Sequence, residues 1–408
     1  MNHIFYTWTA QRHAHPLTVD AAEGARFRTR EHGWLWDLES QTYNVNAGHG
    51  NKHIQERMIA QIRELPVAGP NMRLDVREQL AAALAERTGL ARAFLASGGA
   101  EAVENAIKIA RLYTGRSKIV TRRRSYHGAT LATLGIGGDP RRAPFAADLP
   151  PAIHIDDPYP VPAGEPSAWV KSLHDVVERE GPDTIAAIVL EGFTGTNGMQ
   201  HPPPDFWPAV RAVCDRHGIL LVDDEIFSGF GRTGRWFARE HWGVTPDLMV
   251  LGKGLTSGYA PLSAVMVSQA VAAHFDDHKL WCGVTHYAHP VGCAAALGAI
   301  EVYAEQRLPE RADQAGAALA ERFKDMSQRP ATRAAVRDAR GLGLMRCLEL
   351  DRPAAPIAAR LLERGAYVPY RDNLLFICPP LCLTVEEAHI VADLLADVVA
   401  ESITAARA

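Results

Sequence analysis

Four short apolar runs, each closed by polar residues or glycine, punctuate the middle of the chain: Lys118–Thr121, Ile185–Glu191, Ile219–Glu225 and Asp247–Lys253. Such runs read as strands buried on both faces. Between them lie stretches of helical period. Glu101–Tyr113 puts Val103, Ala106, Ile107 and Ala110 on one face, and Pro204–Gly218 ends on a glycine, as helices commonly do. Strand and helix in alternation predict an α/β fold with a mainly parallel sheet.

The character changes near residue 294. Ala294–Gln306, Gln314–Met326 and Val385–Ile403 read as amphipathic helices, with a strand-like Leu342–Leu350 between them. With 408 residues the chain is too long for one simple core. We therefore expect a large domain over residues 46–293 and a smaller α+β domain over 294–408. The first 45 residues, which precede the apolar-run pattern, are expected to join the smaller domain.

Charge and cysteine usage exclude several classes. The net charge is −4 with no basic stripe, and Arg122, Arg123 and Arg124 read as a solvated strand edge, so no nucleic-acid partner is expected. The six cysteines contain no Cys-x-x-Cys pair, which argues against a metal site and fits a reducing cytoplasm. The N-terminus lacks the pattern of a signal peptide, and no apolar stretch is long enough for a membrane span.

In parallel α/β sheets ligands sit at the carboxyl ends of strands. Four places there carry chemistry. Ser97-Gly98-Gly99-Ala100 opens a helix, so its small residues either make a plain tight turn or admit a phosphate to backbone N–H groups. Asp223-Asp224-Glu225 is either a solvated strand end or the holder of a cationic ring nitrogen. Lys253, flanked by Gly252 and Gly254, is either a surface charge or a partly desolvated nucleophile. Tyr126 is either core or a stacking partner for a planar cofactor.

The order of these segments resembles the class III aminotransferase family. Gly98-Gly99-Ala100-Glu101-Ala102-Val103-Glu104-Asn105-Ala106 resembles its phosphate loop, and Tyr126-His127-Gly128 its ring-stacking segment. Asp224-Glu225-Ile226 followed by Gly229-Phe230-Gly231-Arg232-Thr233-Gly234 resembles its most specific signature. Pro246-Asp247, Lys253-Gly254-Leu255, Thr285 with His289-Pro290, Arg340-Gly341-Leu342-Gly343-Leu344 and Pro379-Pro380-Leu381 extend the likeness over nearly the whole chain.

The resemblance implies a pyridoxal-phosphate (PLP) enzyme of fold type I. It implies a homodimer, or a dimer of dimers, with the active site at the subunit interface. Lys253 would carry the cofactor as a Schiff base and shuttle the substrate proton, and Asp224 would pair with the pyridine nitrogen. Ile226 and Tyr126 would pack on the two ring faces, and Glu191 would stand near the ring and Asp224. Gly99 and Ala100 would bind the phosphate, and Thr285 would reach the neighbouring subunit's phosphate. The implied reaction moves an amino group from an amine or ω-amino acid to a 2-oxo acid such as pyruvate. An aminomutase, a racemase or a decarboxylating transaminase on the same framework is the alternative. A nicotinamide dehydrogenase would need a third glycine that the Ser97–Ala100 loop lacks.

The departures from the family pattern concern the pocket walls. Gly98 and Ala100 stand where hydroxyl residues are usual, and Phe227 stands where glutamine is frequent. Glu191-Gly192-Phe193 replaces Glu-Pro-Val, which makes Phe193 a candidate substrate contact. With Thr194–Gly198 and Ser257–Leu262, these changes look most like the ω-amino acid and taurine–pyruvate branch. Relatives that bind acetylornithine carry an arginine just before the Pro-Pro-Leu segment. Asn373–Cys378 has none, so Arg371 is the candidate for a substrate carboxylate, with a surface-loop role as its alternative.

Overall fold

The computed structural model describes residues 3–149, 151–159, 168–195, 197–330 and 332–405. Its centre is a seven-stranded sheet. The strands are β1 (Arg92–Ala96), β2 (Lys118–Arg122), β3 (Ile153–Ile155), β4 (Ile185–Glu191), β5 (Leu220–Asp224), β6 (Leu248–Leu251) and β7 (Ser263–Val267). Their spatial order is β1-β7-β6-β5-β4-β2-β3. β7 runs antiparallel to both neighbours, and all other pairings are parallel. The carboxyl ends of β1, β2, β4, β5 and β6 therefore meet along one edge, where a ligand site is expected.

The four apolar runs appear as β2, β4, β5 and β6. Every residue of β4, β5 and β6 is buried, as an unbroken apolar run requires. Helix Gly99–Thr114 packs across the sheet on its expected face, with Val103, Ala106, Ile107 and Ala110 buried. Burying each larger side chain contributes roughly 1.5–3 kcal/mol, which fixes where the helix N-terminus points. Helix Phe206–His217 ends at Gly218 as expected. Helix Pro290–Glu305 is apolar almost all round because it packs against both Lys52–Glu64 and Asp75–Thr88.

Two four-stranded sheets lie outside the central one. Strands Val19–Glu23, Arg26–Thr29 and Gly33–Asp37 form an antiparallel meander, and Ala366–Tyr367 pairs in parallel with the third. The first 45 residues thus hold strands that apolar runs do not reveal. Each is short and half exposed, so it leaves only a brief alternation in the sequence. The other sheet pairs Val336–Leu342, Met345–Leu350, Leu374–Ile377 and Tyr370–Arg371 in antiparallel order. The strand expected over 342–350 appears as Met345–Leu350, preceded by a turn at Gly343 (φ 51°) that pairs it with Val336–Leu342, a strand the sequence did not signal.

Candidate active site

A cavity of about 380 Å³ opens at the carboxyl edge of the central sheet. Lys253, Asp224, Glu191, Tyr126, Ile226, Gly99 and Ala100 all line it. Sequence separations of over a hundred residues are closed here by the shared strand edge.

Lys253 follows β6 in a short turn and holds a φ of 42°. A left-handed lysine costs of order 1–3 kcal/mol and persists only where its surroundings demand it. Its ammonium lies 4.2 Å from the Phe227 ring centre and 5.5 Å from that of Tyr43. Burial lowers its pKa to about 8 against the opposing pull of Asp224 and Glu191. An amine so placed loses its proton near pH 8, well below an ordinary lysine, and becomes a nucleophile.

That value sets a pH dependence. Below about pH 8 Lys253 is largely charged, so its reaction with added PLP should slow about tenfold per unit as pH falls. The rate should level off above that pH. Borohydride trapping at timed intervals, followed by intact mass, measures it. A rate still climbing past pH 10 would mean an ordinary, solvated lysine.

Asp224 ends β5, and its Oδ2 lies 2.8 Å from Nδ1 of the buried His127. Its Oδ1 accepts from the Ile226 N–H at 3.1 Å. His127 Nε2 is in turn 3.0 Å from the Thr121 hydroxyl on β2. The carboxylate is therefore aimed from behind by a residue the motif reading passed over. Strand alternation turns Asp223 to the opposite face, where burial and then Glu225 push its carboxyl well above the usual range.

Glu191 ends β4 and ties two wall loops together. Its oxygens accept from the N–H groups of Tyr126 and Gly195, each at 3.1 Å. Burial raises its pKa, with His127 and Arg122 opposing.

Gly98 caps helix Gly99–Thr114, and the Ser263 hydroxyl donates to its carbonyl at 2.9 Å. The first-turn N–H groups of this helix, at Gly99 and Ala100 on the cavity, have no intrahelical acceptor and could receive an anion, assisted by the helix dipole. A Cβ on Gly99 would meet Ile226 Cδ1 at 3.0 Å, and one on Gly128 would meet Ala100 Cβ at 2.6 Å. This is a cradle that side chains would fill.

The wall opposite is strained. Ser40, Gln41, Thr42 and Tyr43 all have φ between 47° and 66°, a left-handed turn built without glycine. Asp37 Oδ1 accepts from the N–H groups of Glu39 and Gln41, and the Ser40 hydroxyl donates to the Cys378 carbonyl at 2.5 Å. The turn delivers Thr42 and Tyr43 to the cavity.

Two candidate substrate contacts lie outside this lining, and Thr285 is expected at the partner's site rather than this one. Phe193 is fully buried, stacked on His201 and clustered with Phe227 and Met345, so it is core rather than a substrate contact. The chain turns after β4, and Gly195 takes the lining position instead. Thr285 is exposed and outside this cavity. Arg371 sits beside the cavity lining, with Nη1 3.3 Å from Asp139 Oδ2. Conversely, His127, Tyr43, Trp8 and Arg141 line the cavity without having been singled out.

The cavity fits pyridoxal phosphate: an amine of lowered pKa, an oriented carboxylate for a ring nitrogen, and a helix N-terminus for a phosphate surround one volume of suitable size. Fold and site together define a fold-type-I PLP enzyme. The class III aminotransferase profile matches residues 8–399, and the chain belongs to that family. It is 34% identical to the ω-aminotransferase of Caulobacter vibrioides over 406 residues, covering 92% of this chain and 91% of that protein. It is 32% identical to the acetylornithine aminotransferase of Methanothermobacter thermautotrophicus, covering 98% and 96%. The taurine:2-oxoglutarate aminotransferase of Bifidobacterium kashiwanohense, solved with PLP and glutamate, superposes with a TM-score of 0.92 at 31% identity, covering 97% of this chain and 95% of that one. The protein is an aminotransferase that uses pyridoxal phosphate.

Proposed function

We propose that the enzyme moves an amino group from an amine or ω-amino acid to a 2-oxo acid such as pyruvate, in two half-reactions served by Lys253. The observation that carries this reading is the Lys253 amine, of lowered pKa, in one cavity with the His127-braced Asp224 carboxylate. When bound, pyridoxal phosphate supplies the electron sink for the reacting carbon. The chain's own residues do the rest. Lys253 Nζ takes a proton from the substrate carbon and returns it to the acceptor carbon. Asp224 keeps a ring nitrogen protonated, and His127 keeps Asp224 pointed at it. Gly99 and Ala100 offer N–H groups to the phosphate, Ile226 and Tyr126 flank the ring, and Glu191 fixes Tyr126. The absence of an arginine in Asn373–Cys378 and the resemblance to the ω-aminotransferase branch favour an ω-amine donor over acetylornithine. Incubation with candidate amines and pyruvate tests this: net alanine without carbon dioxide supports transamination. Isomerised donor without an acceptor would favour a mutase or racemase.

We further read the active unit as a homodimer in which Thr285 reaches the partner's phosphate. Ile59, Ile62, Leu65, Val67, Met72 and Trp281 are exposed, large apolar side chains of the kind a subunit interface covers. Thr285→Ala should weaken PLP retention about tenfold on dialysis, the loss of one hydrogen bond to a charged group. Unchanged retention, or an active monomer by light scattering, would count against it. Residues 46–293 are read as the cofactor-binding domain and 294–408 as the smaller one; the pairing of Gly33–Asp37 with Ala366–Tyr367 supports joining residues 1–45 to the latter. A cytoplasmic location fits six unpaired cysteines.

A further inference from the structure

An acid-bearing substrate needs a cation in the cavity besides the lysine that serves the cofactor. Among the described lining residues, Lys253 and Arg141 are the lysine and arginine side chains. Arg141 lies on the wall with its guanidinium carbon 3.7 Å from the Tyr126 ring centre and 5.0 Å from that of Trp8. Its side chain is 26% exposed, whereas that of its partner Asp139 is only 2% exposed.

The support beneath Arg141 is built. Asp139 accepts from Arg141 Nε at 2.7 Å and from Nη2 at 3.1 Å, a bidentate grip. Asp139 Oδ1 also accepts from the Arg141 backbone N–H at 2.9 Å, capping the short turn that carries it. Arg371 Nη1 then donates to the same Asp139 Oδ2 at 3.3 Å and to Asn197 Oδ1 at 3.4 Å. Among the described residues, two guanidiniums thus share one buried carboxylate. Burial alone would raise the Asp139 pKa, but Arg141 and Arg371 hold it below the ordinary value.

We propose that Arg141, gripped by Asp139 and stacked on Tyr126, receives the carboxylate or sulfonate of acidic substrates, and that Arg371 acts behind it by neutralising Asp139. This rests on the aminotransferase reading of the same cavity. Arg141 sets specificity by direct contact with substrate. Asp139 and Arg371 are positioning residues. The stacked guanidinium is pre-organised, so little rotamer freedom is lost when an acid docks.

The test uses holoenzyme and two readouts. Propionate and methanesulfonate, which cannot react, are titrated against the cofactor's absorption band. The pyruvate and amine half-reactions are timed separately. Arg141→Met should weaken both inert acids by about 10- to 100-fold, the size of a hydrogen bond to a charged group. It should slow the pyruvate half-reaction at low pyruvate at least tenfold more than the half-reaction with n-butylamine. Arg141→Lys should recover part of the loss. Arg371→Met should raise the pyruvate KM less than Arg141→Met does and leave kcat nearly as it was. Loss of propionate binding with retention of methanesulfonate would assign the site to carboxylates, and the reverse to sulfonates. Acid binding unchanged within about twofold in Arg141→Met would overturn the proposal, as would a larger effect from Arg371→Met. A wild-type enzyme that binds the acids through Arg141 yet transfers no amino group would refute the transaminase reading and leave this inference standing.

Discussion

Lys253→Ala is expected to abolish covalent retention of PLP and to reduce turnover by about 10⁴-fold, the upper range for removal of a positioned general acid–base. Among the described lining residues, the other one with a basic amine or guanidinium, Arg141, is held on the wall by Asp139 and does not take its place. The fold should survive, because replacing a desolvated, strained lysine removes a cost rather than a support. Turnover is measured as alanine formed from pyruvate, and folding by thermal unfolding. A variant that retains more than about a tenth of wild-type turnover would remove Lys253 from the chemistry.

Asp224→Asn is expected to keep the fold and slow proton abstraction by about 10²–10³-fold, the usual loss for one preorganised electrostatic partner. An amide can still meet His127 after a change of tautomer, so the hydrogen-bond chain to Thr121 is preserved. What is lost is the negative charge that keeps a ring nitrogen protonated. Asp223→Asn is the control. Asp223 faces the core beside Glu225, so its replacement should change stability far more than the reaction. Stopped-flow loss of the cofactor band with an amine donor reads the step directly. A crippled Asp223→Asn beside a normal Asp224→Asn would put the pairing one residue out of register.

The central strands were legible because they leave strong local marks, whereas Lys253 and Asp224, each ambiguous alone, were brought to the cavity by the order of segments that resembles a known family. A strand buried on both faces must be an apolar run, and a polar residue at its end or just past it stands at the ligand edge, as Glu191, Asp224 and Lys253 do. The walls left weaker marks. Thr42 and Tyr43 reach the cavity through a left-handed turn that no propensity favours and that distant partners such as Cys378 hold. Arg141 sits just past Asp139-Pro140, a dipeptide that signals a turn but not what the turn aims. Phe193 was proposed from the change at the family's Glu-Pro-Val position, but a motif departure does not say which way the chain turns after β4, and here Phe193 faces the core. Arg371 meets Asp139, a contact spanning the fold that sequence spacing cannot encode. The N-terminal meander was missed for a related reason: half-exposed strands of four or five residues resemble ordinary polar chain.

The central claim is that Lys253 is the residue to which the cofactor is joined. Borohydride reduction of the holoenzyme, proteolysis and peptide mass mapping test it without reference to turnover. The account predicts the added mass of reduced pyridoxal phosphate on the peptide that contains Lys253 and on no other. Label on a different lysine, or a holoenzyme that yields no labelled peptide, would contradict it.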